Sequence, residues 1–436
     1  MTERVGTLVV GGGLSGLTHA RALMRRGSDC VLLEQSERPG GAARSLEKGG
    51  YLLELGPNTV RPTPALLQIC REIGLEKEIL LSDPHLPRYV EVDGRLKKIP
   101  FGALSFAGLL RAGAEVFVRG GGSDEESVFD FFARRFGRQV AEQLVEPFVS
   151  GIFAGDARRL SVSATFPRLA ELEAAHGGVL WGMFVSRRRG PRATSKKVRG
   201  LLSFRQGLAA LPAALAESLG RRFRAGVRVE KLERGPDQWL ATTSAGLVSA
   251  DQIVLATPSA EAGRLSGCFA PAAAQALEGI ASPPVTVAHC AWARSDVAHP
   301  LRGFGHLLLP REGRRILGAV WSSSLFPGRA PRGRVLLTVF LGGRRTPENA
   351  EFALPQLSDV IFEETQAVLG ARCKPEIVHA ISYVHAIPQY ETGYGSVLAA
   401  LSRAEMENPG LKYLGNYRGG ISVGDVVDNA AIFSPA

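Results

Sequence analysis

The chain has 436 residues, with 52 Lys+Arg against 42 Asp+Glu for a formal charge of +10, and 45% of it is hydrophobic and 22% charged. That balance excludes disordered and fibrous classes, and at about 150 residues per domain the length suggests two or three domains. Five scattered cysteines (Cys30, Cys70, Cys268, Cys290, Cys373), odd in number and never spaced C-x-x-C, exclude a disulfide framework or structural zinc site, and eight histidines without ligand spacing predict no protein-bound metal.

The apolar run Val5–Val10 is too short for a signal-peptide core. The nearest candidate for a span, Ile99–Leu110, is twelve residues long and falls short of the ~18 a crossing helix needs. These two features predict a cytoplasmic protein, and the cysteine pattern a reducing compartment.

Thr7-Leu8-Val9-Val10 reads as a short buried strand and Gly11–Gly16 as a turn. Leu17, Ala20, Leu23 and Met24 then share one helical face, and Val31-Leu32-Leu33 forms a second strand ending at Glu34. A parallel strand pair joined by a helix opens a doubly wound sheet. Leu86–Val92 alternates into Asp93-Gly94 and returns through Arg95-Leu96, which predicts a hairpin.

From Phe101 to Gly177 the pattern is helical. Leu104, Ala107, Leu110, Ala114 and Phe117 share a face, and Gly120–Gly122 breaks the run. Ser127 with Asp130 predicts a capping box ahead of Phe129, Phe132, Phe136, Val140 and Leu144 at helical spacing, a stripe that reads first as core packing. Arg187–Arg189, Arg192, Lys196, Lys197 and Arg199 form a basic segment without an acid, either a solvated loop and boundary or a contact for anionic lipid or carboxylates. No nucleic-acid-binding motif accompanies it.

Beyond that segment, Leu208, Leu211 and Leu215 mark a helix, followed by strands at Val227–Leu232, Trp239–Thr243 and Gln252–Leu255. Apolar runs at Val285–Ala291, His306–Leu309 and Val335–Leu341 predict a largely antiparallel sheet. A helix near Glu351–Leu369 and a strand near Ile377–Val384 follow, and Tyr413–Asn416 returns to the strand-then-glycine pattern of the N-terminus.

Gly11-x-Gly13-x-x-Gly16 between a strand and a helix, with Glu34 closing the next strand, predicts a dinucleotide site. Gly11 permits the tight turn, Gly13 lets the backbone approach a pyrophosphate, and Gly16 lets the helix pack on the sheet. Glu34 would bind ribose hydroxyls and repel a 2′-phosphate, which disfavours NADP. The following Glu37-Arg38-Pro39-Gly40-Gly41-Ala42-Ala43-Arg44 suits a larger dinucleotide wrapped from two sides. Gly415–Gly424 offers N–H groups at a helix N-terminus, able to stabilise negative charge on a reduced flavin.

With these stretches, Glu54-Leu55-Gly56-Pro57, Glu146–Asp156 and Leu160-Ser161, the chain resembles the flavin-containing amine oxidase superfamily. Within it, the resemblance is to the branch of protoporphyrinogen oxidases of haem biosynthesis, over nearly the full length. The resemblance implies an α/β fold: a Rossmann-type FAD-binding domain (1–80, 200–265, 405–436), an interleaved α+β substrate-binding domain (81–98, 185–199, 266–404) and a helical, membrane-contacting insertion (99–184). It implies non-covalent FAD held by Gly11, Gly12, Gly13, Leu14, Ser15, Gly16, Glu34, Gln35, Ala42 and Arg44, by the turn Gly56, Pro57, Asn58, Thr59 beneath the flavin, by the backbone of Val229, and by Ile421, Ser422 and Val423. The family's glycine–glycine–arginine stands here displaced, as Gly41-Ala42-Ala43-Arg44.

On the substrate side the resemblance implies Arg88 for a propionate and Gly151 beside the reacting methylene carbon, with Leu307, Val320 and Phe340 as apolar walls. The implied reaction oxidises protoporphyrinogen IX to protoporphyrin IX, with molecular oxygen as acceptor and hydrogen peroxide released. No acid–base residue is assigned, because no catalytic triad or carboxylate pair is present and the cofactor carries the redox chemistry. Peripheral contact with the inner face of the cell membrane is a further expectation, and a homodimer is left open. Three alternatives remain. The first is oxidation of coproporphyrinogen III, whose extra propionates Arg187–Arg189, Arg311, Arg314 and Arg315 would suit. The others are another flavin amine oxidase or desaturase, and a non-catalytic membrane-associated FAD-binding adaptor.

Overall fold

The structure is a computed structural model that describes residues 2–118, 120–123, 125–189, 198–309 and 313–432, with nothing stated for the side chains of 187–189. The N-terminal strand begins before the apolar run, at Glu3, and ends at Val10. Its polar first half is strand because Glu3 to Val5 pair in parallel with Val248 to Ala250 of the ten-residue strand Gly246–Leu255. Its other edge pairs in parallel with Cys30–Leu33, joined through the helix Leu14–Arg25, so the expected βαβ unit forms. Seven strands make this first sheet, in the order Val229–Arg234, Trp239–Thr243, Gly246–Leu255, Glu3–Val10, Cys30–Leu33 and Phe223–Arg224, with Leu411–Tyr413 added beside Gly246–Leu255. Leu8, Leu17, Leu32 and Leu255 at its centre are fully buried.

The second sheet also has seven strands: Glu376–Tyr383, Val285–Ala293, Arg334–Gly342, Ile316–Val320, Gly305–Leu307, Arg88–Val92 and Arg95–Lys98. All neighbours are antiparallel except Gly305–Leu307 with Arg88–Val92. The predicted hairpin turns at Asp93 and Gly94, both at positive φ (54° and 73°), the geometry a two-residue turn between right-twisted strands requires. Because side chains alternate along each strand, the sheet has two distinct faces. Ala288, Cys290, Trp292, Ala319, Trp321, Val339 and Leu341 face one way and pack on Leu357, Val360 and Ile361 of the helix Leu354–Leu369. That helix starts three residues later than its hydrophobic pattern suggested, because Pro355 sits in its first turn. The opposite face carries the candidate site.

Between Phe101 and Gly177 the described residues are mostly helical, as their periodicity predicts, and a further helix, Val179–Arg189, runs into the start of the basic segment read as a loop. Ser127 caps the helix Val128–Phe136 by accepting from the Asp130 N–H (3.0 Å), and its hydroxyl donates to the Asp130 carboxylate (2.6 Å). A five-residue π-helical turn, Ala141–Val145, leads into the helix Glu146–Phe153. Behind them lies a buried ion cluster: Arg135 pairs with Glu115, and Arg134 with Glu126 (2.6 Å) and Glu173 (2.8 Å). Glu115 also accepts from the N–H groups of Val179 and Leu180 (2.8 and 3.0 Å), which ties the turn Ala114–Phe117 to the start of the helix Val179–Arg189.

Two histidines in the second sheet give the fold a pH dependence. His306 is buried, with Nδ1 accepting from Trp321 Nε1 (3.1 Å), and burial pushes it down to about 3. His289 is fully buried, its Nε2 bonded to the Glu54 carbonyl (3.0 Å), and burial pushes it down to about 4. The unfolded chain takes up these protons near pH ~6.5, before the folded one does. Stability is therefore complete above that value and falls as pH drops from ~6.5 toward the folded values, levelling below them. By pH ~5 the loss should be on the order of 4 kcal/mol for the pair. Calorimetry from pH ~7 to ~5 should show the falling Tm, with a shallower slope in His306→Gln; equal slopes would refute the assignment.

Candidate cofactor and substrate site

The glycine-rich turn has the form a dinucleotide cradle needs. Gly11 has φ of 109°, and a Cβ on Gly16 would lie 2.0 Å from the Gly11 carbonyl oxygen, so helix and turn meet backbone to backbone. Gly13 differs: a Cβ there would meet nothing within 4 Å, so the backbone faces open space. The helix behind it, Leu14–Arg25, has no side-chain cap and no acid in its first turn, and its positive end is left for an external anion. These features fit the pyrophosphate of FAD.

Glu34 stands beside this turn, one carboxylate oxygen accepting from the Gly12 N–H (2.6 Å) and the other from Ser36 N–H and Oγ (2.9 and 2.6 Å). Gln35 next to it is exposed. The second glycine segment runs alongside, as expected for a wrapped dinucleotide. Gly40 N–H donates to the Gly12 carbonyl (2.8 Å), and Gly13 bridges to Gly40. Ala42 is exposed there, and its carbonyl lies so close to Gly56 that a Cβ on Gly56 would be 2.1 Å away. Through that contact the segment is pinned to the turn Gly56-Pro57-Asn58-Thr59, all of it half-buried. Arg44 holds the turn through its backbone, its carbonyl accepting from Leu55 N–H (2.8 Å), while its exposed side chain lies near enough to His379 and Tyr383 to act on both electrostatically.

Val229 is buried in the edge strand of the first sheet, and its carbonyl accepts from Arg264 Nη2 (3.2 Å). Ser422 caps the helix Val423–Ile432 by accepting from Asp425 N–H (3.1 Å) and donating to the Asp425 carboxylate (2.6 Å). An acid in the first turn thus offsets part of the positive helix end predicted for Ile421, Ser422 and Val423, and Asp425 is in turn paired with Arg61 (3.1 Å). The glycine loop before it is fixed by tyrosines: Tyr390 donates to the Asn416 carbonyl (2.6 Å) and accepts from Gly420 N–H (3.1 Å), and Tyr394 donates to the Tyr417 carbonyl (2.7 Å).

On the second sheet the register brings the expected substrate residues together. Arg88, Gly305, Val320, Thr338 and His289 form one row across neighbouring strands, and Val90, Leu307, Gly318, Phe340 and Val287 form the next. Cross-strand partners share a face, so Arg88, Leu307, Val320 and Phe340 all lie on the face away from the packed helix. Gly305 and Gly318 stand between them without side chains, where a Cβ would meet the carbonyl oxygens of Ala319 (2.2 Å) and His306 (2.5 Å) of the paired strand. Over this surface lies Gly151, where a Cβ would be 2.2 Å from Leu307 Cδ2. Gly151 is in the last turn of its helix. Ala154 (φ 48°) reverses the chain so that Gly155 N–H returns to the Val149 carbonyl (3.4 Å) and not to that of Gly151. The Gly151 carbonyl is left at the negative end of a helix.

Beside this face opens a cavity of about 790 Å³, bounded by His85–Arg88, Lys98 and Pro100 on one side and by Phe132, Leu144, Phe148 and Phe166 on the other. Its walls are apolar and its rim is cationic. Phe132 therefore lines a cavity, whereas its stripe partner Phe129 is buried core. The π-helical turn, which turns Leu144 and Val145 inward, carried no signal in the sequence. Nor did the partners of the basic residues. Arg314 pairs with Glu91 and Glu364, and Arg315 with Glu363 and Glu364, so neither is a free carboxylate receptor; the carboxylates bind them first. Arg311 and most of the basic segment (187–189, 192, 196 and 197) lie outside the described side chains.

Compared with known proteins, residues 14–413 match the family described as flavin containing amine oxidoreductase. The chain is 34% identical over 458 residues to the chloroplastic protoporphyrinogen oxidase of Nicotiana tabacum, covering 97% of this chain and 83% of that one. It is 32% identical over 474 residues to the protoporphyrinogen oxidase of Bos taurus, covering 97% and 96%. Among solved structures, a protein from Exiguobacterium sp. 255-15 superposes with a TM-score of 0.79 at 21% identity, covering 99% of this chain and 97% of that one. A UDP-galactopyranose mutase superposes at 0.72 with 16% identity, covering 98% and 94%.

Proposed function

This chain belongs to the flavin containing amine oxidoreductase family, and from that premise we propose that it oxidises protoporphyrinogen IX to protoporphyrin IX, with molecular oxygen as acceptor and hydrogen peroxide as product. Its cofactor is FAD. The observation that carries the substrate reading is the row-and-face arrangement of Arg88, Leu307, Val320 and Phe340 beneath Gly151. That face carries apolar side chains with a cation at its edge, which suits a macrocycle bearing carboxylates.

Bound FAD supplies the acceptor for a hydride from a methylene bridge of the substrate. In this reading Arg88 binds a propionate and sets the ring's orientation. Leu307, Val320 and Phe340 hold the rings flat and exclude water. The Gly151 carbonyl, at the negative end of its helix, stabilises the positive charge that develops on the macrocycle as the hydride leaves. The cavity beyond Arg88 is large enough for a porphyrin's bulk, and its rim cations Arg88 and Lys98 match two propionates. With Arg314 and Arg315 engaged by glutamates, support for a four-propionate substrate weakens. Aerobic turnover of protoporphyrinogen IX and coproporphyrinogen III side by side, followed by porphyrin fluorescence against autoxidation, tests the reading. Faster turnover of coproporphyrinogen would replace the substrate and leave the flavin chemistry standing.

No helix among the described residues is long and apolar enough to cross a membrane. The helical region nevertheless exposes the large apolar side chains of Phe101, Phe106 (77%), Leu110, Phe117 (86%) and Trp181. This supports peripheral contact with a membrane, into which a lipophilic product can pass. Flotation with anionic liposomes at low salt should carry the protein upward. The triple variant Phe101→Ser, Phe106→Ser, Phe117→Ser should remain below, with turnover retained in detergent. Equal flotation of both would remove this contact from the proposal.

A further inference from the structure

The buried pair Glu54–Arg329 has no part in the reading above. Glu54 ends the strand that leads into the Gly56–Thr59 turn, and Arg329 follows the second-sheet strand that carries Val320. The two meet at 3.2 Å with side chains 4% and 2% exposed. Glu54 also accepts from Ser45 Oγ (2.6 Å) and from Leu208 N–H (3.0 Å), and Arg329 Nη2 donates to Ser203 Oγ (2.6 Å). Burial pushes the carboxyl up and the guanidinium down, a cost that these bonds offset.

One atom is left over. Arg329 Nη1 is buried and has no hydrogen-bond partner among the described residues. Beside it is a cavity of about 10 Å³ lined by Glu54, Asn58, Val320, Ser322, Phe326 and Arg329. That is room for a single water, with polar groups on several sides to hold it. The cavity touches Asn58 of the flavin turn on one side and Val320 of the substrate face on the other.

We propose that Arg329, anchored by Glu54, is a positioning residue for the cofactor: through one bridging water it fixes Asn58, and it holds a buried positive charge under the turn that faces bound FAD. A positive charge in a dry site stabilises the negative charge that reduction brings to the flavin, so it raises the flavin's potential. The proposal rests on the FAD assignment and not on the identity of the porphyrinogen. Anaerobic reductive titration of the holoenzyme without substrate, against a dye of known potential, tests it independently of that substrate.

Arg329→Met should lower the two-electron potential by at least tenfold in the reduction equilibrium, about 30 mV. Glu54→Gln, which leaves the guanidinium uncompensated, should shift it the opposite way. Arg329→Lys, which keeps the charge, should restore most of the value. A mere packing role predicts no opposed signs. Shifts in the same direction, or none while FAD stays bound, would overturn the proposal. Should Arg329→Met lose FAD, Glu54→Gln decides alone: a positive shift supports the proposal, and an unchanged or negative one overturns it.

Discussion

Gly16→Val should yield a protein purified almost without flavin. A Cβ at this position would lie 2.0 Å from the Gly11 carbonyl oxygen and 3.2 Å from Ala256 Cβ, so a side chain must push the helix Leu14–Arg25 off the sheet. The first contact is backbone within the turn and has no rotamer to yield. Overpacking of this kind costs about 1–3 kcal/mol, and the displaced helix also withdraws its N-terminus from the pyrophosphate. FAD content, read from visible absorbance against protein, should fall by about tenfold or more, with a lower Tm for the apoprotein. Gly13→Ala separates the two effects. With nothing within 4 Å of the added methyl, the apoprotein should keep its Tm while FAD binding weakens, because the methyl occupies the space left for the cofactor. Retention of FAD by both variants would mean that the nucleotide lies elsewhere.

Arg88→Ala carries the next largest effect. The residue is exposed at the start of its strand, with its guanidinium 5.2 Å from the Phe304 ring, so its loss should cost little stability. A charge-assisted bond to a carboxylate contributes about 1.5–3 kcal/mol, so kcat/KM for protoporphyrinogen should fall by roughly 10- to 150-fold, mostly through KM. Arg88→Lys should recover part of that, since an ammonium keeps the charge but loses the bidentate geometry. FAD content should be unchanged in both. A wild-type kcat/KM in Arg88→Ala would remove the carboxylate from the picture and leave the apolar face as the only substrate contact.

These two sites were legible in the sequence to different degrees. Gly11, Gly13, Gly16 and Glu34 are readable because strand, turn, helix and strand are contiguous, and each glycine answers a local steric demand that a short window contains. Arg88 and Gly151 were singled out by resemblance; neither carries a local signal. A strand-end arginine and a helical glycine occur in most proteins, and only the parallel pairing of Arg88–Val92 with Gly305–Leu307, distant in sequence, gives Arg88 its neighbours. Asp425 lies within the same turn as Ile421–Val423 and, through its bond with Ser422, sets a carboxylate at that helix end.

Readable from local sequence are the βαβ unit and its glycine turn, the Asp93-Gly94 hairpin, the largely antiparallel second sheet and the helical region between Phe101 and Gly177. Periodicity, glycine placement and capping residues act over a few residues, so a linear reading contains their causes. Tertiary structure alone decided which face of the second sheet holds Arg88, Leu307, Val320 and Phe340, because a strand's register sets its face and long-range pairing sets the register. It alone decided that Arg314 and Arg315 are taken by glutamates, and that Glu54 and Arg329 meet 275 positions apart with one N–H left over. Charge pairing and desolvation depend on distance in space, and the chain's order does not record that distance.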